Sequence, residues 1–274
     1  MIPYIQPIFV PDEDRFRQNK ESLISFGKYI KKYPYDVKCI FGGWCSNDVW
    51  WKEIYAVIEK NIPPDLVFGA MSFDRNYGKA FVVNALFDKI KELEFDFFLS
   101  GDSDIIFSIK TNNLFERLSD VAMASPNATK KPFGFIGLQQ EINCCHKLTR
   151  TNHYYIKNRF NEIETLQQPG HPSGIAGGSL FIGRKFWEKV GGYKVMGVYA
   201  GDDAYLIHDA YSSGFSYQLA PHISVIHPPA NDAEYDQWKK KKLLDGSYDG
   251  KNRSMIELNE DIKDHEKFWK ERNS

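Results

Sequence analysis

Short apolar runs alternate with longer segments of helical spacing through the first hundred residues, and this alternation restricts the fold more than any other feature. The apolar runs, which we predict as strands, are 5–10, 36–41, 65–70 and 95–100. The segments that we predict as helices are 12–32, 49–60 and 76–93. Strands that alternate with helices pair in parallel through right-handed crossovers, and the helices cover the sheet. We therefore predict an α/β fold with a mainly parallel sheet flanked by helices.

The rest of the chain is less regular. Further strands are predicted at 133–138, 178–182 and 217–226, and further helices at 185–190 and 202–212. The segment 143–168 is polar, and its pattern favours neither a helix nor a strand. Because no repeat and no linker divides the chain, we expect one domain over 1–229. Residues 230–274 are highly charged, and we expect a helical C-terminal extension packed on the same domain.

The charge balance argues against a protein that binds polyanions with its whole surface. The chain has 35 basic and 36 acidic residues, so its formal net charge is -1. No global field therefore attracts nucleic acid or an acidic membrane. The run Lys239–Lys242 is a local exception, and an exposed helical face explains it more simply than a binding patch does.

The cysteines and the N-terminal residues indicate a cellular compartment. The four cysteines include no C-x-x-C pair, which makes a zinc site or a disulfide framework a poor interpretation. These cysteines are Cys39, Cys45, Cys144 and Cys145. The first residues lack the features of a signal peptide, and no window approaches eighteen consecutive apolar residues. We expect a cytoplasmic protein without a transmembrane segment.

Two acidic residues follow the apolar run at 95–100. Asp102 and Asp104 are two positions apart, so their side chains point to the same side of an extended chain. Their charges would repel each other unless a cation lay between them. A divalent ion that carries a phosphorylated substrate would supply this charge. A solvated strand end, or an aspartate that caps the next helix, is the alternative. Ligands of parallel sheets bind beyond the carboxyl ends of strands, where these acids are predicted to lie.

Three further motifs lie in the second half of the chain. A glycine pair ending at Gly178 opens an apolar run, and glycine there lets a ligand approach the backbone. Asp202 and Asp203 begin a predicted helix, where they either cap it or supply a general base. His227 ends a predicted strand, and a neutral imidazole is a good ligand for a divalent metal. Each motif also has an ordinary structural explanation.

The order of these motifs resembles that of the GT-A fold glycosyltransferases, notably family 2 and the Golgi beta-galactosyltransferase and polypeptide N-acetylgalactosaminyltransferase groups. The order is D-x-D at a strand end, G-G-S-x-F-x-x-R with W-x-x-V-G-G-Y, G-D-D opening a helix, and H-P at a strand end. Residues 76–80 are similar to the N-x-G-x-A segment of the family. The resemblance covers about 5–229 and implies a Rossmann-like GT-A fold.

The resemblance also implies roles for the acidic residues and the histidine. A Mn²⁺ or Mg²⁺ ion would be held by Asp104 and His227, with Asp102 assisting through the metal or the donor ribose. The catalytic acid pair would be Asp202 and Asp203, and the second would take the proton of the acceptor hydroxyl. One base without an evident carboxylate nucleophile predicts inversion at the anomeric carbon.

The residues expected to bind the donor lie near predicted strand ends. Arg75 and Lys79 precede or begin a predicted helix, where they would meet a phosphate or nucleobase; surface cations are the alternative. Asp74 is expected to hold the base or the ribose. Pro11 and Gly178 are also expected to contact the donor, although at Pro11 the sequence departs from the P-x-Y-N motif of the family.

The predicted function is transfer of a sugar from a nucleotide-sugar, with UDP-sugar favoured by the resemblance, to an acceptor hydroxyl. The acceptor stays open among a glycan, a lipid-linked sugar, a protein and a hydroxymethylated DNA base. A haloacid-dehalogenase-type phosphohydrolase is a competing interpretation, since it also uses a strand-end D-x-D with Mg²⁺. Its D-x-D normally follows the first strand, and Ile106 replaces the expected Thr or Val. A nucleotidyltransferase is a second competing interpretation, but the acidic segment Pro11–Asp14 stands where it would need a Gly-rich phosphate loop. A non-catalytic protein that binds sugar nucleotides is a third, and the presence of both acid pairs and His227 argues against it.

Overall fold

The computed structural model describes residues 1–142, 146, 148, 150–170, 174–195 and 202–228, the side chain of Asp202 excepted. The predicted extension over 230–274 lies outside the described residues. The strands are β1 (Ile2–Val10), β2 (Val37–Cys45), β3 (Val67–Ser72), β4 (Phe97–Gly101), β5 (Phe133–Ile142), β6 (Thr151–Lys157), β7 (Ile163–Pro169), β8 (Ser179–Gly183) and β9 (Ser216–His227). The α-helices are α1 (Glu13–Lys32), α2 (Asp48–Asn61), α3 (Lys79–Ile90), α4 (Leu114–Thr129), α5 (Arg184–Val190) and α6 (Asp202–Ser212), and a 3-10 turn covers Pro64–Leu66.

The nine strands in the described part of the chain form one sheet in the order β3-β2-β1-β4-β8-β5-β9-β7-β6. The first four strands pair in parallel, as their alternation with helices predicts. The prediction of a mainly parallel sheet is wrong for the rest, because the sheet is mixed. Strand β8 runs antiparallel to both of its neighbours, and β7 runs antiparallel to β6 and β9. The connection over 158–162 is too short for the crossover that parallel pairing requires, so β6 and β7 form a hairpin.

Helices cover both faces of the sheet and form two hydrophobic clusters. Apolar residues of α1, α2 and α4 pack on one face. Those of α3, α5 and α6 pack on the other face. This three-layer packing explains why β1, β2 and β4 read as continuous apolar runs, because both of their faces are buried, whereas β3 at the sheet edge is partly exposed. None of the helices in the described part of the chain combines the length and the apolar character that a membrane crossing requires.

Several elements meet at the carboxyl edge of the sheet, which is the edge where β1, β4, β5 and β9 end. The strand pairings give these four strands one direction, and β8 begins where they end. Helix α1 begins there because Asp12 caps it, its Oδ1 accepting the Arg15 N–H at 3.0 Å. Helix α3 begins there after Gly78, whose φ of 82° favours glycine. The residues after the strands and before the helices are therefore neighbours in space.

Candidate active site

A pair of backbone hydrogen bonds brings the D-x-D segment and the end of β9 together. Ile106 and Ile226 exchange N–H···O bonds of 2.9 Å in each direction. This bridge places His227, the last residue of β9, beside the segment that follows β4. A third bond, from the Asp102 N–H to the Gly178 carbonyl at 2.8 Å, joins the same segment to the start of β8. The local backbone therefore holds residues from three distant parts of the chain at one place.

The three predicted metal ligands come together. Asp102, Asp104 and His227 each offer one ligand atom, and these atoms lie within 4.8 Å of one another. His227 Nε2 is 3.8 Å from Asp104 Oδ1, and Asp104 is only 9% exposed. Two carboxylate oxygens and an imidazole nitrogen are suitable ligands for a divalent ion such as Mn²⁺ or Mg²⁺. The residues present therefore fit the metal that the sequence predicts.

Each carboxylate of the D-x-D also has a basic partner within the protein. Arg15 Nη1 donates to Asp104 Oδ2 at 2.7 Å, and Lys79 Nζ lies 2.7 Å from Asp102 Oδ1. The repulsion between the acids is thus already reduced without an ion. The Arg15 bond leaves the other oxygen of Asp104, Oδ1, on the side of His227. The guanidinium therefore orients the Asp104 carboxylate toward the predicted ligand cluster.

Arg15 was not among the residues predicted from the sequence. It lies 89 residues from Asp104 along the chain, and its contact depends on the pairing of β1 with β4. The signal was present, because parallel pairing places the first turn of α1 next to the segment after β4. An arginine in that turn was therefore a candidate partner for the acids.

Asp203 occupies a defined position beside the glycine pair. Its Oδ2 accepts the Gly177 N–H at 3.0 Å, and its Oδ1 accepts the Ala204 N–H at 2.8 Å. The Gly177 carbonyl in turn accepts a hydrogen bond from Lys79 Nζ at 2.7 Å. Asp203 is therefore linked to Asp102 through the backbone of Gly177 and the ammonium group of Lys79. The side chain of Asp202, the other predicted catalytic acid, lies outside the described residues.

The predicted donor-binding residues occupy different parts of this edge. Among them, Lys79 contacts Asp102 directly, and Gly178 contacts the Asp102 backbone. Asp74 accepts a hydrogen bond from the Tyr77 hydroxyl at 3.0 Å, and Arg75 lies 4.5 Å from the centre of the Tyr77 ring. Pro11 is buried between β1 and α1.

Gly178 lies close to the side chain of Gln140. A Cβ atom there would lie 2.6 Å from Nε2 of the buried Gln140. The sequence interpretation assigned this glycine to a close approach of the ligand. The side chain that comes closest to Gly178 in the structure is that of Gln140, and the role of this glycine toward a ligand stays a prediction.

His146 is a second residue that the sequence analysis missed, since it lies in the polar segment without a clear pattern. Its Nδ1 accepts the Ala176 N–H at 3.0 Å, so Nε2 carries the proton and donates it to the Leu138 carbonyl, also at 3.0 Å. Burial lowers the pKa of this imidazole. The neutral ring therefore fastens β5 to the segment just before Gly177.

No known family profile matches the sequence, and no curated protein matches it. Among solved structures, the chain is similar to residues 1–349 of S. aureus TarS, with a TM-score of 0.52 and 11% identity. The match covers 90% of this chain and 64% of the TarS chain. The chain is also similar to Drosophila beta-1,4-galactosyltransferase 7, solved as a variant with manganese, UDP-Gal and xylobiose. That match has a TM-score of 0.42 and 11% identity, and it covers 85% of this chain and 74% of the other.

Both of these proteins are GT-A glycosyltransferases. The similarity to TarS shows that this chain shares the GT-A fold, and at 11% identity it shows the fold alone. No conclusion depends on the second match because of its lower TM-score. The nucleic-acid acceptor that the sequence analysis left open is not supported by these comparisons, which concern the fold alone.

Proposed function

We propose that the chain is a metal-dependent glycosyltransferase that moves a sugar from a nucleotide-sugar to an acceptor hydroxyl. The observation that carries this proposal is the convergence of Asp102, Asp104 and His227 within 4.8 Å at the carboxyl edge of a GT-A sheet. Ligands of open α/β sheets bind at this edge. The ligand cluster therefore lies where a nucleotide-sugar would have to bind.

Asp102, Asp104 and His227 would hold the divalent ion, and Arg15 keeps Asp104 turned toward His227. When bound, such an ion supplies positive charge for the nucleoside diphosphate that leaves. Glycosyl transfer breaks the bond between the anomeric carbon and the diphosphate oxygen, and the electron pair remains on that oxygen. Stabilising this charge is a large part of the catalytic task.

Asp203 is the base in this proposal. The acceptor oxygen forms the new bond to the anomeric carbon while its proton passes to the Asp203 carboxylate. The N–H groups of Gly177 and Ala204 fix the orientation of this carboxylate. With Asp203 as the base and no nucleophilic carboxylate assigned among the described residues, we expect inversion at the anomeric carbon, in which the acceptor attacks from the face opposite the leaving group.

The position of Asp203 favours a transferase over a phosphohydrolase of the haloacid-dehalogenase type. A phosphohydrolase of that type brings its later acidic motif to the metal. Among the described residues, the candidate ligand cluster consists of Asp102, Asp104 and His227. Asp203 instead accepts backbone hydrogen bonds at the glycine pair, on the other side of Lys79.

UDP is the favoured nucleotide because of the family resemblance seen in the sequence. The acceptor that we propose is a hydroxyl group of a carbohydrate, a lipid-linked sugar or a protein. The test is release of UDP from a panel of UDP-sugars by the full chain, with Mn²⁺ and with EDTA. We expect release in Mn²⁺ only. Nucleotide-sugars that bind should also raise the melting temperature by mass action.

The variant Asp203→Asn should still bind donor but should lose about 10²–10⁴-fold in turnover. Asp96→Asn is the matched control, because Asp96 is exposed and lies at the opposite end of β4. Turnover of Asp203→Asn near that of the control would remove Asp203 from the role of base. Hydrolysis of p-nitrophenyl phosphate without any release of UDP would favour the phosphohydrolase. Products with retained anomeric configuration would exclude inversion.

A further inference from the structure

Lys79 lies between the two acidic groups of the candidate site. Its ammonium is 2.7 Å from Asp102 Oδ1 and donates to the Gly177 carbonyl at 2.7 Å. The N–H of Gly177 is held by Asp203. The Lys79 side chain is 23% exposed, and that of Asp102 is 30% exposed. The sequence analysis expects Lys79 to meet a phosphate or nucleobase of the donor, but its direct contact with a predicted metal ligand points to a second role.

The two ion pairs of the site balance in charge. Asp102 pairs with Lys79, and Asp104 pairs with Arg15. A divalent ion that approaches these acids therefore meets two cations as well as two anions, and its attraction to the site is small. An ion that uses Asp102 as a ligand lies close to the Lys79 ammonium and is repelled by it.

The two basic residues differ in how they affect an incoming ion. Arg15 holds Oδ2 of Asp104 and leaves Oδ1 facing His227, so this pair is compatible with a bound ion. Lysine is a point charge on a flexible stem, whereas the planar arginine group is fixed by its paired contacts. Lys79 therefore has the freedom to leave Asp102 while it keeps its bond to the Gly177 carbonyl.

We infer that Lys79 is an exchangeable counter-ion of Asp102 that makes the metal and the nucleotide bind together. Without nucleotide, Lys79 neutralises Asp102 and weakens binding of a divalent ion. When a nucleoside diphosphate is present, its negative charge attracts the ammonium away from Asp102, and the carboxylate becomes available to the ion. This inference rests on the metal site of the proposed function and makes Lys79 a positioning residue for the ion.

The consequence is positive coupling between the two ligands. UDP should increase the affinity for Mn²⁺, and by linkage Mn²⁺ should increase the affinity for UDP by the same factor. Removing the positive charge of Lys79 should tighten Mn²⁺ binding in the absence of UDP. A unit charge beside a divalent ion in a partly exposed site changes its affinity by about tenfold. A residue with a merely structural role would not produce tighter binding when it is removed.

The experiment is calorimetric titration of Mn²⁺ into the full chain, with and without UDP. Lys79→Met should bind Mn²⁺ about tenfold more tightly than wild type without UDP, and the effect of UDP on Mn²⁺ affinity should shrink by a similar factor. Lys79→Arg keeps the charge and should show no such tightening. Lys89→Met changes an exposed lysine of the same helix and should match wild type.

Unchanged or weaker Mn²⁺ binding by Lys79→Met, beside normal Mn²⁺ and UDP binding by wild type, would overturn this inference and leave the proposed function intact. Tightening in Lys79→Arg equal to that in Lys79→Met would also overturn it. If wild type bound no Mn²⁺ even with UDP, the metal-dependent function and this inference would both be wrong. Circular dichroism spectra and melting temperatures of all variants establish that the measured proteins are folded.

Discussion

Replacing Gly177 with alanine should separate catalysis from donor binding. A Cβ atom at this position would lie 2.7 Å from the Cβ of Asp203 and 3.3 Å from its Cγ. Carbon atoms in contact normally lie about 3.5–4.0 Å apart, so the Asp203 side chain has to move by about 1 Å. The Gly177 backbone is outside the positive-φ region, so alanine adds no backbone strain there. The substitution therefore acts mainly through the position of the proposed base.

A displacement of about 1 Å in a reacting group costs on the order of 10²-fold in rate. We therefore expect Gly177→Ala to lower kcat about 100-fold in the UDP-sugar assay. Loss of the Gly177 N–H bond to Asp203 should cost about 1 kcal/mol of unfolding free energy, which leaves the protein folded. Binding of UDP with Mn²⁺, measured by calorimetry, should change little because the ligand cluster does not include Asp203.

Gly69→Ala is the control for this experiment. Gly69 lies in β3 at the edge of the sheet, and a Cβ atom there would meet nothing within 4 Å. This variant should keep both the turnover and the binding of wild type. If Gly177→Ala kept kcat within about threefold of the control, the role of Asp203 as base would be refuted. An equal loss of binding and turnover would show that the glycine serves the donor rather than the base.

Two further predictions concern stability. Arg117→Met should lower the unfolding free energy, measured in urea, by about 3–5 kcal/mol, because it removes the cationic partner of Glu164, which is 1% exposed. Arg17→Met is the control, since it changes an exposed ion pair and should leave the urea transition unchanged. Equal effects of the two substitutions would contradict this reasoning. Burial lowers the pKa of His146, so its stabilising contribution is present above the unfolded pKa of about 6.5 and is lost as the pH falls through the lower folded value. In His146→Gln, the unfolding free energy should therefore fall less between about pH 7 and 5 than it does in the wild type, whereas the same change at the exposed His153 should have no such effect. An unchanged pH dependence in His146→Gln would show that the His146 ring does not control the loss of stability at acidic pH.

The first half of the fold was predictable because β1, β2 and β4 are buried on both faces and alternate with helices. The predicted strands at 36–41 and 65–70 correspond to β2 and β3, and each observed strand extends further toward the carboxyl edge. Hydrophobic periodicity does not show how far a strand continues once its residues become small or polar. Gly42 and Gly43, for example, lie beyond the predicted strand but within β2.

Helix α4 was not predicted, although it contains a suitable pattern. Its buried residues include Leu114, Leu118, Val121 and Ala122, which have helical spacing. Pro126 and several polar residues near its end make the segment resemble a loop. Packing against the sheet stabilises the helix in spite of them, because tertiary contacts outweigh local preference.

The hairpin of β6 and β7 was not predictable from hydrophobicity. Strand β6 lies at the edge of the sheet and is largely exposed, so it lacks a continuous apolar run. Strand β7 buries a charge, since Glu164 accepts hydrogen bonds from Arg117 and Asn158. A charged residue inside the protein depends on its partners, and these partners lie on other elements.

The site was predictable where position along a strand was sufficient. Asp102, Asp104 and His227 each follow or end a strand, and strands of one direction end at one edge. Arg15 becomes a candidate only once β1 is placed beside β4, and His146 lies in a segment without a clear pattern, so neither residue was predicted. The assignment of Asp203 as the base came from a family resemblance and stays a prediction.

Binding of one divalent ion by Asp102, Asp104 and His227 is tested most directly in a crystal of the full chain grown with Mn²⁺ and UDP, measured for anomalous scattering from manganese. We predict one strong anomalous peak within coordinating distance of Asp104 and His227, and its loss in Asp104→Asn crystals. A manganese peak elsewhere, or none in crystals that contain UDP, would contradict the claim.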